Sequence, residues 1–419
     1  MDPGTSLVAR ASAAATVLLL ASCVATPPRL PALDATPLLD GATARLDVAT
    51  GYDGAAAEGG GSGSGGVTLQ GDFLWSSGAW RGIEAQVGYD DVYARAERVA
   101  GAMPGAATSG LRVPALSRLG PSSANLSWAD GRTRVVLGRQ AISPAGERFV
   151  GVVDWRPGEQ SYDGLRVQRE IVHGAQLSYT WAGGVTTGER PDAVASRWRG
   201  RFHLLDGTVD AGRLGHLQAF VYRMAFADAL RTDATATAGG AQSGATFGAA
   251  WRREFRLGEF APLPVSVSYA SATRSAGPGA PYATRYLQLE TGVPVANTRF
   301  KVGRDTVAHE AGLGPDLSTT PLASWYASEG WQGRFAGATA PGAVDTYALL
   351  QTDFGGTALE LGRHGFRAPG RKAADGIEWN TTLSRRLAQW LHVHARFAEL
   401  RGALGDDRRW TVEFSAPVR

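Results

Sequence analysis

The feature that most constrains this chain is the rhythm of its connectors. From about residue 42 onward the sequence divides into segments of roughly ten residues in which apolar and polar side chains alternate. That is the length and period of a strand crossing a membrane at a tilt. Short connectors such as Ala129-Asp130-Gly131, Ile171 to Gly174 and Phe354-Gly355-Gly356 take turns with long ones at 91–120, 141–161, 183–195, 224–242 and 306–342. A soluble sandwich has no reason to keep that alternation, whereas a closed barrel with tight turns at one end and long loops at the other does. The segments that fit are 42–52, 66–76, 79–90, 121–129, 132–140, 162–170, 173–182, 196–205, 214–223, 243–255, 263–273, 282–292, 296–305, 343–353, 356–366, 375–385, 389–399 and 408–416. The expected fold is all-β: a closed antiparallel transmembrane β-barrel of about 18 strands over residues 41–419. Its turns and both termini would be periplasmic and its long loops external.

Composition agrees with a barrel and excludes its main membrane rival. A spanning helix needs about 20 apolar residues, and the longest apolar run, Ala11 to Ala21, falls short. The 55 Gly, 12 Trp, 11 Tyr and 14 Phe suit twisted strands that end in aromatic girdles. Lys301 and Lys372 are the only lysines, so Arg supplies 40 of the 42 basic residues. A GC-rich genome accounts for that bias, and so does a need for guanidinium groups that fork onto carboxylate or phosphate. A net charge of +3 does not call for nucleic acid.

The N-terminus reads as an export signal over residues 1–25, with Arg10 as a thin positive flank and Ala11 to Leu20 as the apolar core. Leu20-Ala21-Ser22-Cys23 resembles the signal of bacterial lipoproteins, which would make Cys23 an acylated first residue. Ordinary cleavage near Ala25, with Cys23 lost, is the other open reading. Residues 26–40, with Pro27-Pro28, Pro31 and Pro37, read as a periplasmic tether.

Alternation also sorts side chains between lipid and lumen. In Arg197-Trp198-Arg199-Gly200-Arg201-Phe202-His203-Leu204, the cations occupy one face and the apolar groups the other. An Arg facing lipid at mid-membrane costs about 2–4 kcal/mol, so Arg197, Arg199 and Arg201 are expected in the lumen. The same reasoning puts Arg166, Gln168 and Glu170 inside, opposite Leu165 and Val167. It also puts Arg299 and Lys301 inside, opposite Phe300 and Val302. A local excess of Arg over Asp and Glu suggests an anion path. Leu137-Gly138-Arg139, Val302-Gly303-Arg304 and Leu361-Gly362-Arg363 recur at the external ends of outgoing strands. Strict alternation turns these Arg residues outward, towards lipopolysaccharide phosphates; a glycine-linked bulge would turn them inward.

Two blocks carry a resemblance. Leu137-Gly138-Arg139-Gln140, Arg148-Phe149-Val150-Gly151, Trp155-Arg156 and Gln160-Ser161-Tyr162-Asp163-Gly164 form the first. Thr320-Pro321-Leu322-Ala323, Gly330-Trp331 and Gly342-Ala343-Val344-Asp345 form the second. In order and spacing they resemble the bacterial alginate-export porins, over about a quarter of the chain. The resemblance implies an 18-stranded barrel whose Arg-lined pore passes anionic polyuronate out of the cell. On the matching positions, Arg139, Arg148, Arg156 and Asp163 would pair with one another and with passing carboxylates. The chain departs from the pattern at Gln332-Gly333-Arg334, and it runs past Phe414 to Arg419.

No catalytic arrangement emerges. Gly61-Ser62-Gly63-Ser64-Gly65-Gly66 meets a dinucleotide pattern on paper but leads into a strand-like segment, and no nucleophile elbow is present. Seven scattered His and one Cys give no metal-ligand spacing, so no metal or cofactor is expected. Asp90-Asp91 reads as solvated charge beside a loop. The expected function is a non-enzymatic, passive channel in the bacterial outer membrane that exports an anionic polysaccharide or uronate. Its expected surroundings are lipopolysaccharide and other outer-membrane lipid, with a monomeric barrel. The alternatives are an uptake porin for small anions or sugar acids, and a lipid hydrolase or structural surface barrel. The last could be plugged by the loop 306–342.

Overall fold

The computed structural model describes residues 41–57, 64–98, 118–144, 148–152, 160–186, 197–227, 230–232, 235–237, 243–256, 262–274, 282–309, 322, 342–367, 375–402 and 406–418. The export signal, the tether, Cys23 and Arg156 lie outside them.

Successive strands are β1 (Thr43–Ala57), β2 (Ser64–Ser76), β3 (Ile83–Arg98), β4 (Arg118–Ala129), β5 (Thr133–Gln140), β6 (Ser161–Val172), β7 (Ala175–Thr186), β8 (Arg197–Asp210) and β9 (His216–Phe226). After a small hairpin, β10 (Leu230–Thr232) with β11 (Thr235–Thr237), come β12 (Gly244–Phe255), β13 (Leu263–Arg274), β14 (Tyr282–Val295) and β15 (Thr298–His309). The last are β16 (Gly342–Phe354), β17 (Thr357–Arg367), β18 (Gly376–Ala388), β19 (Leu391–Gly402) and β20 (Asp407–Val418).

Setting the hairpin aside, each strand pairs antiparallel with its chain neighbours, and β9 pairs with β12 across the connector that holds the hairpin. The ring closes where β1 meets β20, from Leu46 opposite Val418 to Ala57 opposite Asp407. The 18-stranded sheet therefore has no free edge. Every expected segment became a strand. The hairpin β10–β11, inside the expected loop 224–242, was not foreseen. Several strands outrun the ten-residue expectation, with β1 at 15 residues and β3 at 16. Backbone pairing does not stop where the lipid does.

Tight turns hold one end of the ring. At the β16–β17 turn, Gly355 and Gly356 both take positive φ, 58° and 75°. Two such residues in succession give a hairpin turn the twist of its flanking strands, at a steric cost that glycine avoids.

One face of the ring carries a belt of large exposed apolar groups, among them Leu126, Leu137, Tyr179, Trp181, Val221, Leu289, Phe300 and Val302. In water so wide an apolar surface would aggregate. Around a closed barrel it is the lipid-facing belt of an outer-membrane protein. The opposite face bounds the lumen.

Candidate functional site

The lumen is crossed by the connector between β5 and β6. Val150 and Ile142 of that connector lie in an apolar cluster with Tyr162 on β6, Ala182 and Val185 on β7, Phe202 and Leu204 on β8, and Tyr222, Met224 and Phe226 on β9. Two residues from Val150, the Arg148 guanidinium pairs with the Asp305 carboxylate on β15 and lies 4.3 Å from the Tyr286 ring centroid on β14. Phe149 packs between these anchors, 5.3 Å from the Phe220 ring and 5.7 Å from Tyr286. A segment that touches walls so far apart in the strand order must run inside the ring. Leu322, from the β15–β16 connector, meets it there. Val150 and Leu322 form a parallel bridge, the Gly151 amide donates to the Leu322 carbonyl at 2.9 Å, and Gln160 Nε2 donates to the carbonyls of Gly151 and Leu322. Contacts from both long connectors thus narrow the lumen.

The inward cluster overturns one expectation. Phe202 and Leu204 are 0% and 1% exposed, and they pack on the inserted connector rather than on lipid. Trp198 packs there too. Arg197, Arg199 and Arg201 therefore point outward, on the face of the exposed Leu205 and Val209. The premise that failed was depth. These residues occupy the external end of β8, where the lipid penalty falls to about 0–1 kcal/mol. A guanidinium among Phe202, Leu204 and Val150 would instead be a buried unpaired charge, costing about 3–5 kcal/mol.

Arg139 and Asp163 also leave the lumen. They sit opposite one another across β5 and β6, on the face of Leu137 and Leu165. Arg139 donates from Nε and Nη2 to the two Asp163 oxygens at 2.7 and 2.9 Å, and Arg197 Nη2 reaches the same carboxylate at 2.8 Å. The recurring Leu-Gly-Arg question is decided the same way. Arg139, Arg304 and Arg363 all share the outer face, with Arg363 5.8 Å from the exposed Trp379 ring centroid. The glycines mark crowded inward positions. At Gly303 any Cβ would collide with the Tyr347 ring.

Arg166, Arg299 and Lys301 do face inward. Arg166 Nε lies 3.4 Å from Ser178 Oγ, in electrostatic reach of Asp206. Lys301 Nζ is 3.3 Å from Glu290 Oε1. Beneath the Arg148–Phe149 crossing lies a cavity of about 1030 Å³, lined by Arg252, Arg299, Lys301 and His216 together with Glu254, Glu290, Gln218 and Tyr286.

The lumen is not simply basic. Asp47, Asp72 and Asp90 stand in one row across β1, β2 and β3. Asp90 is 5% exposed rather than solvated. On the opposite arc, His364 Nδ1 is 2.7 Å from Asp345 Oδ2. Sequence reading missed the aspartate row because each acid is unremarkable on its own strand. Only cross-strand register aligns them.

A closed 18-stranded barrel with a lipid-facing belt and a lumen narrowed by its own loops is the fold of outer-membrane porins, and that belt places the chain in a bacterial outer membrane. No protein-family model matches the chain and no curated protein resembles it in sequence. Solved structures do resemble it in fold. Pseudomonas aeruginosa OpdO aligns with a TM-score of 0.65 at 14% identity, over 91% of this chain and 98% of its own. Pseudomonas aeruginosa OccK2 (OpdF), solved in complex with glucuronate, aligns with a TM-score of 0.64 at 14% identity, over 91% and 99%. A BenF-like porin from Pseudomonas fluorescens Pf-5 aligns with a TM-score of 0.65 at 12% identity, over 91% and 99%. These are porins, so the resemblance to alginate exporters holds at the level of an outer-membrane porin and finds no support in its finer form.

Proposed function

We propose that the chain is an uptake porin for small anionic solutes of the sugar-acid or carboxylate class. The observation that carries this reading is the cavity beneath the Arg148–Phe149 crossing. Arg252, Arg299, Lys301 and His216 converge on it, and its volume of about 1030 Å³ suits a small solute. The crossing works against the polymer-export reading. The connector bearing Arg148 is fastened to β15 by an ion pair and to the walls by aromatic packing, and a polyuronate chain would have to displace it. Fixed cations raise the local anion concentration. Neighbouring Glu254 and Glu290 keep any one binding event weak enough for release. The glucuronate bound in Pseudomonas aeruginosa OccK2 is a solute of the proposed kind.

The test is conductance of the purified barrel in planar bilayers. Anion preference, with glucuronate producing brief current blocks that glucose does not, is the expected result. Lasting block and threading by polyuronate would favour export instead, and cation preference would refute both readings.

A further inference from the structure

The outward turn of the β8 arginines leaves a charged surface that solute passage does not use. Arg199 and Arg201 follow Arg197 along the outer face of β8, and all three are exposed. Arg223 on β9 stands opposite His203 on the same face, one diagonal from Arg201, which pairs with Ala225. Arg139 and Arg197 flank the patch, sharing Asp163. Among the described residues Asp163 is the one carboxylate there. Among the described residues, the outward positions of β7, β8, β9 and β12 carry no other. Among the same residues Arg201 makes no ion pair. Below the patch lie Tyr179 and Trp181, with the Tyr179 hydroxyl 2.8 Å from His203 Nδ1, and then the apolar Leu177, Leu205 and Val209. Amphipathic rings of this kind settle where acyl chains give way to headgroups. The guanidinium groups therefore stand at headgroup depth on the external side.

We infer that this arc of β5–β9 is a binding site for the phosphate groups of an outer-leaflet glycolipid. Guanidinium is the side chain best shaped for phosphate. Its planar fork gives paired charge-assisted hydrogen bonds, and it sheds water more readily than ammonium. Apolar belt, aromatic step and arginine rim present, in order, the surfaces that acyl chain, interface and phosphate require. The already paired Arg139–Asp163–Arg197 group braces one side of the site. Arg199, Arg201 and Arg223 are the contacting cations.

The probe is purified rough lipopolysaccharide, titrated against the detergent-solubilised barrel and read by tryptophan fluorescence, with its dephosphorylated form in parallel. Wild type is expected to bind the phosphorylated form at least about tenfold more tightly, the gap that one net charge-assisted hydrogen bond supplies. Arg199→Ser with Arg201→Ser should erase that preference. Arg132→Ser with Arg169→Ser removes equal charge at the periplasmic end and should keep it. Heat-modifiable gel mobility reports folding of each variant. Should the double variant misfold, Arg201→Ser alone is read for a partial loss. Equal affinity for both glycolipid forms would overturn the inference, as would unchanged binding by the β8 variant. Displacement of the glycolipid by excess inorganic phosphate would assign the patch to free phosphate instead.

Discussion

Strands β8 and β15 carry nearly the same sequence message and use it in opposite ways. Each alternates basic with apolar residues. On β15 the basic residues Arg299 and Lys301 turn to the lumen, and Phe300 and Val302 are exposed to lipid at 44% and 53%. On β8 the apolar residues Phe202 and Leu204 turn inward, and Arg197, Arg199 and Arg201 look out. The difference lies in what occupies the lumen at each depth. Near the periplasmic end, beside Arg299, there is a cavity. Near the external end of β8 there is an inserted connector bearing Ile142 and Val150, and it offers Phe202 a drier surface than lipid headgroups would. Alternation says that two faces differ. It does not say which one is wet.

The comparison is broken most forcefully at the inserted connector. Arg148→Ala removes one partner of a buried pair whose side chains are 13% and 5% exposed. Stranding the Asp305 carboxylate should cost about 3–5 kcal/mol. Single-channel conductance should rise severalfold as the connector loosens. Conductance at the wild-type level would mean that the crossing does not narrow the pore. The next effect is on β8 itself. Phe202→Ala should lower stability by about 3–5 kcal/mol, the usual cost of emptying a buried aromatic site. Arg201→Phe, on the outer face, should be nearly neutral. Chemical unfolding from detergent checks both, and a reversal of the two would restore the lipid-facing reading of Phe202.

A smaller effect separates the two sets of cations. Arg299→Ser with Lys301→Ser should weaken anion preference severalfold in reversal-potential measurements, and Arg199→Ser with Arg201→Ser should leave it unchanged. Equal losses would place both sets on the solute path. The smallest effect is at a turn. Asp130 Oδ1 accepts the amides of Arg132 at 3.0 Å and Thr133 at 2.6 Å. These bonds, chiefly the one from Thr133, hold its carboxyl below the usual carboxylate range. A depressed folded-state value stabilises the turn above the ordinary value of about 4. That contribution is lost as pH falls through the folded value. Hydrogen exchange at the Thr133 amide, corrected for intrinsic rate, should show less protection at strongly acid pH than at neutral pH. A pH-independent protection factor would remove Asp130 from the turn's stability.

Much of the fold was legible because it rests on local signals. Gly355-Gly356 announces a turn, and the run from Val135 to Leu137 to Arg139 announces a strand with one exposed edge of side chains. The candidate site was legible only in part. Lys301 and Arg299 could be placed, because they line an open cavity rather than a packed connector. Arg148 was singled out by resemblance, but its partner Asp305 is 157 residues away. The row of Asp47, Asp72 and Asp90 needed the registers of two strand pairs before it existed at all.

The sequence by itself determined an outer-membrane barrel, its strand number and the end at which its loops lie. Period, turn chemistry and connector length are properties of short segments, and closure of the sheet follows from them. Tertiary structure alone decided which face of β8 is dry, which acids share a wall, and that Arg148 is pinned across the lumen. Those outcomes depend on where a long connector comes to rest. Long-range packing sets that position, and it reverses the meaning of an alternating strand without changing a residue in it.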